Sequence, residues 1–173
     1  MLDFAHYASL LCSAVLSDVL EGMGHSHQAM RPFIRPADES RVMTGCARPG
    51  LYEITCSTSE GENPYALEME LIDGLKQGEI AVLGCIGPLD SKGCGKMVKF
   101  DTPVCADVKV RRGDIVFSDI DGVVLIPQGI EASVPERAVL KVAAETATRR
   151  ELLEGRLLTE VHEKYGVLRR ETI

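Results

Sequence analysis

The sequence predicts an α/β fold that ends in helices. An apolar stripe at helical spacing leads directly into a short apolar run at 79–85, as in a parallel βαβ arrangement. A β-rich stretch follows at 102–127, and helical periodicity returns from about Pro135 onward. With 173 residues and 45% hydrophobic content, the chain has the size of one domain, which we expect to span 1–173.

The first half predicts a helix and then a hairpin. Residues 3–23 place apolar side chains at three- and four-residue steps, which indicates one amphipathic helix that ends at Gly24. Residues 41–48 and 51–57 have strand character on either side of a Pro-Gly dipeptide. We therefore expect two short strands joined by a turn.

A second helix is predicted after Asn63, which is a good N-cap followed by proline at the first helical position. Its apolar stripe includes Leu71 and Ile72 and stops at Gly78. The run at 79–85 is short, apolar and bounded by glycines. It predicts a strand that is buried on both faces.

The second half predicts three strands and then helices. The strands are expected at 102–110, 114–118 and 123–127. Asp121 and Gly122 lie between the last two and favour a type I′ hairpin turn, because both central residues of that turn need positive φ. A helix is expected from about Pro135 to Gly155, and a last short helix ends near Gly166.

The junction at 85–88 breaks the α/β pattern. A parallel strand is normally followed by a crossover of about a dozen residues or more, usually helical. Here Gly87 and Pro88 turn the chain directly after the strand. The sheet is therefore expected to be truncated centrally. Within the single domain we expect an N-terminal segment 1–85, a β-rich segment 86–134 and a helical tail 135–173.

Charge and composition narrow the class of partner. A net charge of −7 and a pI near 5.1 disfavour nucleic acid and anionic membrane surfaces. The longest apolar runs are too short to span a bilayer, and the first residues lack the pattern of a signal peptide. We expect a cytoplasmic protein that binds a small molecule or another protein.

The metal-binding residue types show no standard zinc pattern. The six cysteines include no Cys-x-x-Cys pair and are expected to be buried thiols in a reducing compartment. His25 and His27 have a chelating spacing, but they follow Gly24 in a predicted loop and have no third ligand nearby in sequence.

Four passages resemble the RraA-like family, which includes the 4-hydroxy-4-methyl-2-oxoglutarate aldolases and was once labelled demethylmenaquinone methyltransferase. They are SAVLSDVL at 13–20, NPYALE at 63–68, PLDSKG at 88–93 and GDIVFSDIDGVVLIP at 113–127. The tail at 145–168 is similar to the longer-tailed branch of that family. The resemblance implies a swivelling β/β/α sandwich, assembly into homotrimers or hexamers, and active sites between subunits.

The resemblance also implies an activity. Family aldolases use Mg²⁺ or Mn²⁺ to cleave 4-hydroxy-4-methyl-2-oxoglutarate-type oxo acids to pyruvate, and some decarboxylate oxaloacetate. Both reactions place negative charge on an enolate oxygen, which a metal ion and a fixed cation stabilise. In the family an Arg-Asp pair has these roles: the arginine binds the carboxylate and the aspartate holds the metal through water.

This chain departs from the family at that pair. The sequence contains no Arg-Asp dipeptide, so the catalytic residues are unknown. The resemblance implies that the family segment with this pair belongs between Cys85 and Pro88, and that on the order of 60 residues are absent there, judged by the size of two βα units.

Other residues are candidates for the missing roles. Asp18, Asp90 and Lys92 are candidates for substrate binding, and Asp119 and Asp121 for metal binding. Four of them have a structural alternative: a helix-terminus hydrogen bond for Asp18, a solvated turn for Asp90 and Lys92, and the hairpin turn for Asp121.

Three functions remain open at the level of sequence. The first is the family lyase. The second is a non-catalytic regulator that binds another protein, as family members that inhibit an RNA-degrading endonuclease do. The third is an inactive deletion product, in which exposed sheet edges would make stability marginal or dependent on contacts between copies.

Overall fold

The computed structural model of the chain describes residues 3–53, 61–84 and 95–166. The described helices are α1 (Phe4–Leu10), α2 (Ser13–Gly22), α3 (Ala66–Asp73), α4 (Ser133–Leu153) and α5 (Leu158–Tyr165). The described strands are β1 (Met43–Glu53), β2 (Glu79–Gly84), β3 (Lys96–Phe100), β4 (Val104–Ala106), β5 (Val108–Val110), β6 (Ile115–Asp119) and β7 (Gly122–Ile126). The mixed α/β prediction and the C-terminal helices are confirmed. None of the described helices combines the length and apolar character needed to cross a bilayer.

Five of the strands form one mixed sheet centred on β1. β2 pairs in parallel with one edge of β1, from Cys46 opposite Glu79 to Leu51 opposite Gly84. The other edge of β1 is shared, because β6 pairs antiparallel with its beginning and β3 antiparallel with its end. β7 pairs with β6, while β4 and β5 form a separate two-stranded sheet. The strand predicted at 79–85 is therefore β2, and β1 supplies the first strand of a complete parallel β1–α3–β2 unit.

The sheet lies between two layers. On one face, Ile115 and Phe117 of β6 pack with buried residues of α2 and α4. On the other face, Val116 packs with Val108 and Val110 of β5. Successive residues of a strand point to opposite faces, so β6 is buried on both sides. This arrangement gives the β/β/α layering that the RraA resemblance implies.

The predicted helix over 3–23 is two helices. Leu11 and Cys12 have extended backbone between α1 and α2. The break has a tertiary cause: the N–H of Ser13 donates to the carboxylate of Asp119, 2.7 Å away, which fixes a new helix start. Periodicity alone does not reveal a partner that lies 106 positions along the chain.

The predicted hairpin at the Pro-Gly dipeptide is wrong, because β1 runs without interruption through Pro49 and Gly50. Partners on both edges hold these residues extended: Pro49 lies opposite Val82, and Gly50 lies between Leu83 and Phe100. A Cβ at Gly50 would lie 2.7 Å from a Met97 side-chain atom, so the glycine serves close packing and not a turn.

Three smaller predictions are also corrected. The β6–β7 turn pairs Asp119 with Gly122, so Ile120 and Asp121 are its central residues and neither has positive φ. The predicted strand at 102–110 is two strands joined at Asp107, which has φ 67. β2 is mostly half-buried, since among the described strands it pairs along one edge only.

Candidate functional site

An arginine and an aspartate do meet in space, although they are not adjacent in sequence. Arg48 of β1 is 8% exposed, and Asp101 directly follows β3. The Nε of Arg48 donates to Oδ1 of Asp101 at 3.1 Å, and Nη2 donates to Oδ2 at 2.9 Å. The Nη1 atom donates to the carbonyl of Gly74, at the end of α3, at 2.7 Å. One guanidinium thereby joins β1, β3 and α3.

Further groups complete this cluster. Arg112 donates from Nη1 to Oδ2 of Asp101 at 2.6 Å, and a Glu79 oxygen lies 3.8 Å from Nη1 of Arg48. The guanidinium carbon of Arg48 lies 5.6 Å from the centre of the Phe100 ring. The backbone of Asp101 has φ 56, and its N–H donates to the carbonyl of Pro49 at 2.7 Å. Asp101 is therefore fixed through both its backbone and its carboxylate.

The chemistry of the pair is structural. The bidentate bond to Arg48 lowers the pKa of Asp101, and the same bond raises the pKa of Arg48. Each of the three guanidinium nitrogens already donates a hydrogen bond within the chain. Asp101 occupies the edge of the guanidinium formed by Nε and Nη2, so a substrate carboxylate would have to displace Asp101 to bind that edge. The pair is thus engaged internally and does not reproduce an open carboxylate-binding arginine.

The lowered pKa of Asp101 predicts a pH effect on stability. Its folded pKa lies below the unfolded value of about 3.9, so its stabilising contribution is complete above about pH 4. The contribution is lost as the pH falls through the lower, folded pKa. We expect Asp101→Asn to be less stable at pH 7 and to lose less further stability between about pH 4 and pH 2. Urea unfolding at several pH values measures this, and a parallel loss in both proteins would contradict it.

The candidate metal ligand Asp119 is 6% exposed and holds the start of α2. Its Oδ2 accepts from the N–H of Ser13 at 2.7 Å, and its Oδ1 accepts from the Ser13 hydroxyl at 2.6 Å. The N–H of Asp121 also donates to Oδ1, at 3.0 Å. A carboxylate at a helix N-terminus is favoured by the unpaired N–H groups and the helix dipole. Both oxygens of Asp119 therefore have partners in the chain.

The other predicted site residues do not come together. Asp18 lies on an exposed face of α2, with its side chain 60% exposed, and forms an ion pair with Lys141 of α4 at 2.9 Å. This contact joins two helices at the surface. Asp90 and Lys92 lie outside the described residues.

Histidines and cysteines give no metal centre within 3–53, 61–84 and 95–166, where no group of three or more His, Cys, Asp or Glu is arranged to hold an ion. His25 and His27 lie in the predicted connection after α2. Of the described cysteines, Cys12 and Cys46 are partly buried and Cys105 is exposed, so the expectation of buried thiols is wrong for Cys105. It lies on the short β4–β5 hairpin.

A surface that the sequence reasoning missed lies on α3. Leu71 faces inward and is fully buried, whereas Met69 and Ile72 are 50% and 52% exposed. Tyr65, which precedes the helix, is 48% exposed. Met69 follows Tyr65 by four residues and Ile72 follows Met69 by three, and this spacing places the three side chains on one side of the helix. The expected placement of Ile72 in the buried stripe is therefore wrong.

Acidic side chains flank this apolar stripe. Glu68, Glu70 and Asp73 lie on the same helix of eight residues, which contains no basic residue. Glu70 and Asp73 are exposed. We call Tyr65, Met69 and Ile72, with these three acidic residues, the α3 surface. The sequence contains a signal for this exposed stripe, because one short helix carries two apolar stripes at helical spacing and only one of them can face the core.

The comparisons with known proteins identify the fold. No family model and no curated protein matches the sequence. An uncharacterised protein from Pseudomonas syringae pv. tomato str. DC3000 has a TM-score of 0.77 and 17% identity, with 92% of each chain covered. A structure described as a novel cellulase from microbes of the gut ecosystem has a TM-score of 0.69 and 16% identity, with 84% of this chain and 88% of that chain covered.

The third solved structure carries a family name. Streptomyces coelicolor RraAS2 is described as an unusual member of the RNase ES inhibitor RraA protein family. It has a TM-score of 0.70 and 16% identity, with 84% of this chain and 96% of that chain covered. At this identity the similarity concerns the fold, and the present chain has an RraA-like fold.

Proposed function

We propose that this protein acts by binding another protein through the α3 surface. The observation behind the proposal is the apolar stripe of Tyr65, Met69 and Ile72, each about half exposed, on a helix with three acidic residues. Exposed apolar side chains that form one patch with a polar rim are typical of interaction sites. The inward side of α3 is held by Leu71 and by the bond from Arg48 to Gly74, so the surface is presented on a fixed element.

Charge defines the class of partner. The helix α3 carries a charge of −3 from its three acidic residues, since it contains no basic residue. A partner that covers the apolar stripe would place its flanking groups beside these carboxylates. Basic groups would be steered toward them and acidic groups repelled. We therefore assign a basic amphipathic helix as the partner element, with apolar side chains against the stripe and Lys or Arg beside Glu70 and Asp73.

The fold supports a role of this kind. One protein with the same fold is described as belonging to a family of RNase ES inhibitors, and an inhibitor of an enzyme acts by contact with it. The internal engagement of Arg48 and Asp119 points the same way, because all three guanidinium nitrogens of Arg48 and both carboxylate oxygens of Asp119 form hydrogen bonds within the structure.

Binding of a model peptide tests the proposal. The probe is a fluorescent Leu/Lys amphipathic helical peptide of about five turns, compared with a Leu/Glu peptide of the same pattern. We expect the basic peptide to bind and the acidic one not to bind. Met69→Lys with Ile72→Lys is expected to weaken binding at least about tenfold, because it removes the centre of the stripe and adds like charge.

The control for this variant is Leu140→Lys on α4. Leu140 is 72% exposed, so the change has the same chemistry on a different helix. It should leave peptide binding unchanged. Equal binding of the two peptides, or equal loss in the α3 variant and the Leu140 variant, would overturn the proposal.

The family lyase activity is the second candidate, favoured by the RraA-like fold. Its test is pyruvate formation from 4-hydroxy-4-methyl-2-oxoglutarate or oxaloacetate with added Mg²⁺ or Mn²⁺. Pyruvate above the background of metal alone would support a lyase and count against a purely protein-binding role. Trimer or hexamer assembly and the absence of a central segment stay predictions, which light scattering and sequencing of the gene locus test.

A further inference from the structure

Within the described residues, the main sheet has outer edges on β2, β3 and β7, and two of these edges are protected. The segment 28–30 lies along β7. The N–H of Met30 donates to the carbonyl of Val123 at 2.8 Å, and the N–H of Leu125 donates to the carbonyl of Gln28 at 2.9 Å. The outer edge of β7 is therefore partly paired.

The edge of β3 is protected by charge. Two of its five residues are lysines, Lys96 and Lys99. Its register with β1 also shifts between Leu51 and Tyr52. Lysine side chains and irregular pairing on an edge strand both disfavour the addition of a further strand.

The outer edge of β2 has neither kind of protection among the described residues. Of the described strands, β1 alone pairs with β2. Residues 80–84 contain no charged side chain and no proline. Glu79, at the start of the strand, is directed back into its own chain, because its Oε2 accepts from the N–H of Lys76 at 2.8 Å and lies 3.8 Å from Nη1 of Arg48. The rest of β2 is an uncharged apolar edge.

Burial along β2 shows where this strand is open. Ile80 and Val82 pack with the cluster that contains β5 on one face of the sheet, and Ala81 and Leu83 pack with the α3 cluster on the other. Every residue from Glu79 to Leu83 is nonetheless only half-buried. A strand that is covered on both faces is normally buried, so the remaining exposure lies on the side away from β1.

We propose that β2 pairs antiparallel with β2 of a second copy of the chain, through the outer edges of the two strands. The N–H and C=O groups of an open edge require an extended strand as partner. A second copy brings the same open edge, and one isologous contact then closes both edges at once. This contact uses a different element from the α3 surface and does not depend on the function proposed for that surface.

The residues of β2 favour the antiparallel orientation. Pairing about Ala81 places Ile80 beside Val82 of the other copy, on the same face of a sheet that continues through both copies. Glu79 then lies beside Leu83 of the other copy, so the two carboxylates are at opposite ends of the contact. A parallel pair with two-fold symmetry would place Glu79 beside its own copy, where like charges destabilise.

Sedimentation of the intact chain over a series of concentrations measures the association. We expect dimers, or larger assemblies with an even number of copies, that dissociate on dilution. Val82→Lys should weaken the association at least about tenfold, because it places a charge in the contact between the two strands. Val98→Lys is the matched control, since it makes the same change on β3, and it should leave the association unchanged.

Amide hydrogen exchange of the wild type gives a second test, which also applies if Val82→Lys does not fold. We expect slower exchange within 80–84 at high protein concentration than at low concentration, with β3 unchanged. A chain that stays monomeric at its highest soluble concentration would overturn the proposal. An assembly with an odd number of copies, equal effects of the two lysine variants, or exchange within 80–84 that is independent of concentration would also overturn it.

Discussion

Replacing Arg48 by alanine is expected to lower the free energy of unfolding by about 3 kcal/mol. The change removes a buried guanidinium that donates two hydrogen bonds to Asp101 and one to Gly74. It leaves the Gly74 carbonyl without that donor and leaves Asp101 with Arg112, whose side chain is 55% exposed. Breaking one partner of a buried ion pair is costlier than losing the attraction alone, because the remaining charge stays poorly solvated. Urea or thermal unfolding measures the effect.

Arg41→Ala is the matched control for Arg48→Ala. Arg41 pairs with Asp38 at 2.8 Å, but the two side chains are 80% and 51% exposed. Exposed pairs of this kind contribute at most about 1 kcal/mol, so this variant should unfold nearly as the wild type does. Similar losses of stability in the two variants would show that the Arg48 side chain does not hold β1, β3 and α3 together.

Replacing Asp119 by alanine is expected to cost about 2 to 3 kcal/mol, since its buried carboxylate accepts three hydrogen bonds. Two of these bonds come from Ser13 and fix the start of α2. The reason for the loss is the unpaired N–H and hydroxyl that remain inside the protein. Chemical denaturation measures the stability, and a lower helical signal before the transition would report fraying of α2.

Asp121→Ala separates this structural role from metal binding. Asp121 bonds to Asp119 through its backbone N–H, which alanine retains, so its replacement should have a small effect on stability. If the two carboxylates instead bound one ion, both variants would abolish a rise in melting temperature on addition of Mg²⁺ or Mn²⁺. A melting temperature that rises with Mg²⁺ or Mn²⁺ in the wild type, but in neither variant, would contradict the role of Asp119 at the helix start.

Local signals predicted the elements whose determinants are close in sequence. The α3 helix was expected after Asn63 and is present, but it begins at Ala66 with Tyr65 as its N-cap, so the prediction of Asn63 as N-cap is wrong. The side-chain oxygen of Asn63 instead accepts from the N–H of Tyr65 at 3.0 Å, in the turn before the helix. The strands β2 and β7 lie where their apolar runs placed them. In each case a few neighbouring residues provide the apolar run or the glycine boundary.

Distant partners decided the elements that the sequence predicted wrongly. The two-edge pairing of β1 overrode the turn tendency of Pro49 and Gly50, and Asp119 divided the first helix. Arg48 and Asp101 are 53 positions apart, so no local spacing could indicate their pairing. Sequence patterns report a residue's neighbours along the chain, whereas these features depend on which strands lie side by side.

The predictions of site residues show the same contrast between local signals and distant partners. Asp18 and Asp119 are candidates because of their chemical type, and in the structure each binds a residue more than a hundred positions away. Spacing within α3 could have revealed its exposed stripe, because Tyr65, Met69 and Ile72 recur at helical steps. Which of the two apolar stripes faces inward depends on how α3 packs, with Leu71 joining Tyr52 and Met97 in the core.

Amide hydrogen exchange with the Leu/Lys peptide bound tests the role of the α3 surface most directly. Protein binding through this surface predicts slower exchange in α3 on addition of the peptide, with α4 unchanged and with no slowing in the Met69→Lys, Ile72→Lys variant. Protection that appears elsewhere, or no protection at saturating peptide, would contradict it.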